Sequence, residues 1–181
     1  MIYLFLANGF EECEALAPLD ILRRAEIEIK TVGVNGEYIT GSHNITVKAD
    51  ITCDDVVLDD SLSAIILPGG MPGTVNLENS ESVQKAIDYA VENNILICAI
   101  CAAPQILGHK NLLIGKKATC FPGFEKELFG AEYLKMPFVK DGNIITSCGV
   151  GAAFEFGFAI LSTLKDNETA ERLRKVMQFS I

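Results

Sequence analysis

Cys101 is the side chain whose surroundings point most directly to chemistry. It follows the unbroken apolar run Ile95 to Ile100 and precedes Ala102, Ala103 and Pro104. Such a run predicts a parallel strand buried on both faces. Proline suits the first turn of a helix, where its missing N–H costs nothing. The thiol is therefore expected at a strand-to-helix turn, a nucleophile elbow that lifts a reactive side chain out of an α/β sheet. Free N–H groups and the positive dipole end of the helix predict a thiol pKa below the ordinary value of about 8.5. Free cysteines are more often inert core residues, so the rest of the chain has to decide.

Two other segments supply partners. Glu11, Glu12 and Glu14 follow the opening apolar strand Ile2 to Ala7. Carboxylates at that place are favourable for a helix dipole, and simple capping fits Glu11 and Glu12 best. Glu14 is the candidate for work, because a partly buried carboxyl has a raised pKa. Gly69 and Gly70 follow the short apolar strand Ala64 to Leu67 and free the backbone to aim N–H groups into a cleft. A plain turn would use the same residues. In a parallel α/β sheet all three loops lie at the carboxyl ends of strands, where sites gather. That convergence lifts Cys101 above the core reading.

The remaining candidates are weaker. Cys98 and Cys101 form a C-x-x-C, a redox pair in the right context, but Cys98 has strand-like apolar flanks and reads as core. Cys13, Cys53, Cys120 and Cys148 read as packing residues, with no spacing that suggests zinc. His43 and His109 are the only histidines. They fall in an edge-strand region and in the loop after the elbow helix, and neither is expected to act as a base.

The elements that must position these groups follow from periodicity. Leu16, Leu19, Leu22 and Ala25 mark a helix after the glutamates, with Pro18 kinking it or marking a second start. Ile27 to Val34 reads as a strand, Tyr38–Thr40 with Ile45–Lys48 as a hairpin or edge pair, and Asp50 to Ser63 as a turn-rich stretch with at most a short helix. A helix opens at Ser82, with Val83, Ala86, Ile87 and Ala90 on one face. Ala118 to Phe121 reads as a short strand and Phe124 to Phe129 as a brief helix. Asp141-Gly142 joins Phe138–Lys140 and Ile144–Ser147 as a hairpin. Gly149 to Gly151 opens a buried helix, Ala152 to Leu164, and Asn167 caps an amphipathic helix to about Phe179. Strands alternating with helices predict an α/β fold with a mostly parallel sheet.

Composition narrows the function classes. A single domain, residues 1–181, is expected from the length. The net charge of −9 excludes a nucleic-acid partner of the usual kind, which needs a basic face. No run reaches the length of a membrane span, and the opening residues are too short for a leader. Cysteines scattered through apolar runs do not form a disulfide framework. A reduced, cytoplasmic protein is expected.

Gly9-Phe-Glu-Glu-Cys-Glu14, Leu67-Pro-Gly-Gly70, Ala99-Ile-Cys-Ala-Ala-Pro104 and Gly149-Val-Gly-Ala-Ala-Phe-Glu-Phe156 resemble, in order and spacing, the ThiJ/PfpI superfamily. Within it they are most similar to the DJ-one branch, that of the parkinsonism-associated protein and its bacterial relatives. The resemblance implies a flavodoxin-like three-layer sandwich, a homodimer, and no metal or organic cofactor. It implies Cys101 as the oxidisable nucleophile, Glu14 as the carboxyl hydrogen-bonded to it, and an oxyanion site at Gly69, Gly70 and Ala102, with the Gly70 and Ala102 N–H groups as donors. The chain departs from the pattern at Phe121, where many relatives carry histidine, at Cys148, where arginine is common, and at Ala102, where protease-like relatives carry histidine.

The function implied is cysteine-dependent chemistry on a small carbonyl substrate: a glyoxalase or deglycase acting on methylglyoxal, glyoxal or their early adducts. The alternative is a non-enzymatic redox-sensing chaperone working through oxidation of Cys101. An amidase or peptidase is disfavoured by Phe121 and Ala102.

Overall fold

The computed structural model describes residues 1–179. In chain order it contains β1 (Ile2–Leu6), α1 (Glu12–Arg24), β2 (Ile29–Gly33), β3 (Tyr38–Thr40), β4 (Thr46–Lys48), β5 (Ile51–Thr52), β6 (Ala64–Leu67), α2 (Gly73–Glu78), α3 (Glu81–Glu92), β7 (Leu96–Ile100), α4 (Pro104–His109), β8 (Lys117–Ala118), β9 (Glu132–Tyr133), β10 (Phe138–Asp141), β11 (Ile144–Ser147), α5 (Ala153–Leu164) and α6 (Asn167–Val176). Seven strands form the central sheet in the order β10-β11-β7-β6-β1-β2-β5. Every neighbouring pair is parallel except the β10–β11 hairpin. Two short ribbons, β3–β4 and β8–β9, lie outside it.

The apolar runs are two-faced because the sheet is covered on both sides. Ile2, Leu4 and Leu6 of β1, with Ile66, Cys98 and Ile100, pack with Leu22 of α1, Phe156 of α5 and Ala170 of α6. Tyr3 and Phe5 of the same strand, with Ile65 and Ile97, pack with Leu77 of α2, Val83 and Ile87 of α3 and Leu107 of α4. Each large side chain buried in this way contributes about 1.5–3 kcal/mol. The result is the expected α/β three-layer sandwich. No helix among the described residues is long and apolar enough to cross a membrane.

Helix α1 carries Pro18 in its interior, which leaves the Glu14 carbonyl without its intrahelical donor. There α1 crosses α5 at Gly157, where a Cβ would lie 2.6 Å from Ile21 Cδ1 and 3.0 Å from Pro18 Cα. That close crossing fixes α1, and with it Glu14, against the sheet.

Several elements depart from expectation. β5 and α2 stand where the pattern predicts no strand or helix of their kind. Ser80, not Ser82, caps α3, its side chain accepting the Val83 N–H. Asp166, not Asn167, caps α6 through the Thr169 N–H at 2.6 Å. α6 ends at Val176 rather than at about Phe179, and Phe179 folds back against Phe154 and Phe158, with ring centroids 4.7 and 5.5 Å away. Ile181, the chain's last apolar residue, lies outside the described residues.

Candidate active site

Cys101 follows β7 in the left-handed region, at φ +65°. A non-glycine residue there costs about 1–2 kcal/mol, and the surroundings hold it in place. Its N–H donates to the Ser147 carbonyl at 2.9 Å, and its own carbonyl accepts the Phe121 N–H at 2.8 Å. Pro104 opens α4 as expected.

Glu14 approaches from the first turn of α1 and is 1% exposed. Glu11 caps that helix, its Oε2 accepting the Glu14 N–H at 2.8 Å. Glu14 Oε2 accepts the Gly69 N–H at 3.0 Å, the carboxyl also accepts from the Val150 N–H, and it is hydrogen-bonded to the Cys101 thiol. Gly69 has no room for a side chain: a Cβ would lie 2.5 Å from Cys101 Cβ and 2.6 Å from Glu14 Oε2. Gly70, at φ +90°, and Ala102 both point their N–H groups at the Cys101 sulfur. The structure thus brings Cys101, Glu14, Gly69, Gly70 and Ala102 to one rim.

The electrostatics differ from the sequence expectation in one respect. Burial raises the Glu14 pKa to about 7, against the lowering effect of its hydrogen bonds to Cys101 and the Gly69 and Val150 N–H groups. The Cys101 thiol is not lowered. Burial first, and the neighbouring Glu14 carboxylate second, push it up to about 12, outweighing the Ala102 and Gly70 N–H groups. The elbow helix is only six residues long, so its dipole is too small to reverse those effects. When Glu14 holds a proton its charge no longer opposes the thiolate, and its O–H donates, so its hydrogen bond favours the thiolate instead.

Glu12 is not a cap. Its carboxylate reaches the β3–β4 loop, accepting the His43 N–H at 2.8 Å and the Ile45 N–H at 3.4 Å and meeting His43 Nδ1 at 2.9 Å. Its burial opposes ionisation, but those partners hold its pKa below the usual range. Among the described residues, Glu11, Glu12 and His43 are the one grouping of three such side chains close enough to share an ion. His109 lies between Glu78 and Glu127, at 2.5 and 3.0 Å. Burial lowers its pKa, the two carboxylates raise it, and the carboxylates prevail. Both histidines are thus engaged by glutamates away from Cys101.

The other thiols divide by burial. Cys98 and Cys120 are fully buried, Cys53 and Cys148 are intermediate, and Cys13 is exposed on α1, against its reading as a packing residue. Phe121 is half-exposed, and its ring lies 3.2 Å from where a Cβ on Gly149 would stand. The Val150 N–H is a site contact that sequence reasoning does not assign, although its flanking Gly149 and Gly151 mark the segment.

Residues 1–163 match the model of the DJ-1/PfpI family. The chain belongs to the DJ-1/PfpI family. A DJ-1/PfpI relative, Parkinson disease protein 7 homolog of Danio rerio, is 32% identical over 93% of this chain and 92% of its own length. Deglycase PfpI of Pyrococcus furiosus is 33% identical over 91% of this chain and all of its own. The structure of oxidized Toxoplasma gondii DJ-1 superposes with a TM-score of 0.94 at 28% identity, covering 99% of this chain and 98% of that one.

Proposed function

We propose that this DJ-1/PfpI chain is a cofactor-independent glyoxalase or deglycase for small aldehydes such as methylglyoxal and glyoxal or their early adducts. The observation that carries the reading is the Cys101–Glu14 pair: a thiol against a buried carboxyl with a pKa of about 7, facing the Gly70 and Ala102 N–H groups. A base tuned to neutral pH suits general acid–base work. Ionised Glu14 takes the thiol proton as Cys101 Sγ bonds to the aldehyde carbon. The Gly70 and Ala102 N–H groups hold the developing alkoxide, and Glu14 returns the proton to give a hemithioacetal. Glu14 then moves the proton from the first carbon to the second, while the hydroxyl proton passes to the second oxygen. The isomerised product is a thioester. Water cleaves it to a hydroxy acid and the free thiol. The Pyrococcus furiosus relative, a deglycase by name, supports the same chemistry.

The test is product analysis with methylglyoxal. Lactate forms with the wild type, Cys101→Ser forms none, and Glu14→Gln forms it roughly a hundred- to ten-thousand-fold more slowly; lactate from Cys101→Ser sinks the reading. The second reading, a redox sensor, is supported by the Toxoplasma gondii relative, whose structure is that of an oxidized DJ-1. A thiol held by a carboxyl and two N–H groups provides a place for sulfinate oxygens. A peptidase is poorly served, because both histidines are engaged elsewhere.

We also propose a homodimer. An apolar groove lined by Leu16, Ala17, Ile45 and Phe154 runs between α1, the β3–β4 loop and α5, and a second copy would cover it. Light scattering at micromolar concentration gives twice the 19.6 kDa chain mass if this is right, and a single chain mass if it is wrong.

A further inference from the structure

We propose that Cys120, Met136 and Cys148 form a binding site for a soft monovalent metal ion of the copper(I) type, separate from Cys101. The three sulfur-bearing residues come from separate segments of the stretch 120–148 and line one cavity of about 240 Å³. Two thiols and a thioether are the donor set that selects copper(I) over harder ions.

The backbone places the three together. Thr119, next to Cys120, donates its hydroxyl to the Met136 carbonyl at 3.1 Å. The Cys148 N–H donates to the Pro137 carbonyl at 3.1 Å, and the Ser147 hydroxyl donates to the same oxygen at 2.7 Å. The Thr119 N–H donates to Thr146 Oγ1 at 2.9 Å, closing the ring of segments. Each sulfur-bearing residue therefore lies within two residues of a fixed hydrogen bond to a neighbouring segment.

Cys120 is buried and Cys148 half-buried, and the Tyr133 side chain lies on the same cavity. The exposed side chain of Met136 leaves an entry path.

Charge favours a monovalent ion. Two thiolates around a monocation leave one negative charge, and Lys135 on the cavity wall balances it. No spacing rule announces this site, because Cys120 and Cys148 are separated by most of the β8–β11 region and methionine is outside the usual ligand motifs.

The test uses the reduced, full-length chain carrying Cys101→Ser, titrated anaerobically with copper(I) against a chromogenic chelator. One equivalent is expected to bind, with sulfur-only neighbours in the copper X-ray absorption spectrum. Cys148→Ser, at a half-buried position, is expected to abolish uptake, and Met136→Leu to weaken it. Cys120→Ala serves as a second variant, with circular dichroism confirming that each variant folds. Full uptake by folded Cys148→Ser, or oxygen and nitrogen neighbours in the spectrum, overturns the assignment. Methylglyoxal turnover retained by Cys148→Ser with Cys101 intact, alongside loss of copper uptake by Cys148→Ser in the Cys101→Ser background, shows that the two sites stand apart.

Discussion

Gly69 stands between Glu14 and Cys101 and leaves no space for a side chain: its N–H donates to Glu14 Oε2 at 3.0 Å, and any Cβ on it would stand 2.6 Å from that same oxygen. The same missing Cβ would stand 2.5 Å from Cys101 Cβ. Gly69→Ala must therefore push the carboxyl and the thiol apart. We expect a loss of stability of roughly 1–3 kcal/mol from overpacking and a far larger proportional loss of turnover. Denaturant unfolding and lactate formation measure the two. Near-normal turnover in a folded Gly69→Ala would show that Glu14 and Cys101 need not touch.

Glu14→Gln separates charge from proton relay. Above pH 7 wild-type Glu14 is ionised, and its charge opposes the thiolate. Glutamine has no charge, and its amide N–H donates. The Cys101 thiol should then titrate lower than in the wild type, by roughly one unit or more. Turnover should nevertheless fall roughly a hundred- to ten-thousand-fold, because an amide relays no proton. Alkylation rate against pH gives the thiol pKa; a rise instead of a fall would mean that Glu14 donates its proton to a resting thiolate.

The same carboxyl makes stability depend on pH. Its folded pKa of about 7 stands above the ordinary 4.5, so between those values the folded state binds the extra proton. Stability must fall as pH rises through that window, by a few kcal/mol at most, and be flat with respect to this group outside it. Glu14→Gln removes that slope and should unfold at higher denaturant than the wild type at pH 8. An unchanged slope would place the titration elsewhere.

Mild peroxide should oxidise Cys101 first, to sulfinate, because ionised Glu14 beside it can take the thiol proton and the Gly70 and Ala102 N–H groups face the sulfur, while Cys98, inside β7, stays untouched. Cys13 is exposed, but burial and the Glu11, Glu12 and Glu14 charges raise its pKa. It should react with iodoacetamide in proportion to pH and lag with peroxide. Peptide mass spectrometry after graded oxidation reads both. A Cys98–Cys101 disulfide would restore the redox-pair reading.

What can be read from the sequence, and what cannot, divides along the range of the interactions. β7, β6 and β1 announce themselves because burial on both faces forces unbroken apolar runs, and the elbow follows from Pro104. β5 is two residues long in an acidic stretch, and α2 buries only Gly73, Thr74 and Leu77, so neither generates a period. Glu12 looks like a cap because its partners, His43 and Ile45, lie some thirty residues away. The direction of the Cys101 shift escapes the sequence for a similar reason: the helix dipole is local and visible, whereas burial and the Glu14 charge arise only when α1 meets the sheet. Periodicity finds the C-terminal helix but runs it past Val176, where it ends, and sets its cap one residue late, since Asp166 and Asn167 are both good caps.

The β3–β4 ribbon has no strand partner in the main sheet. It is held by the Gly9 N–H on the Thr40 carbonyl, the Ser42 N–H on the Phe10 carbonyl, and the carboxylate of Glu12 on the His43 and Ile45 N–H groups. Ile39 also anchors it in the core, so we expect its loop, rather than the whole molecule, to open at a lower free energy. Its amides, those of Thr40, Ser42, His43 and Ile45, should exchange with deuterium together and sooner than those of β1 or β7. Glu12→Gln weakens the tether and should speed that group alone. Glu12 thus ties the ribbon to the same first turn of α1 that carries Glu14 two residues on, so one helix end serves both as the ribbon's mooring and as the mount of the buried carboxyl.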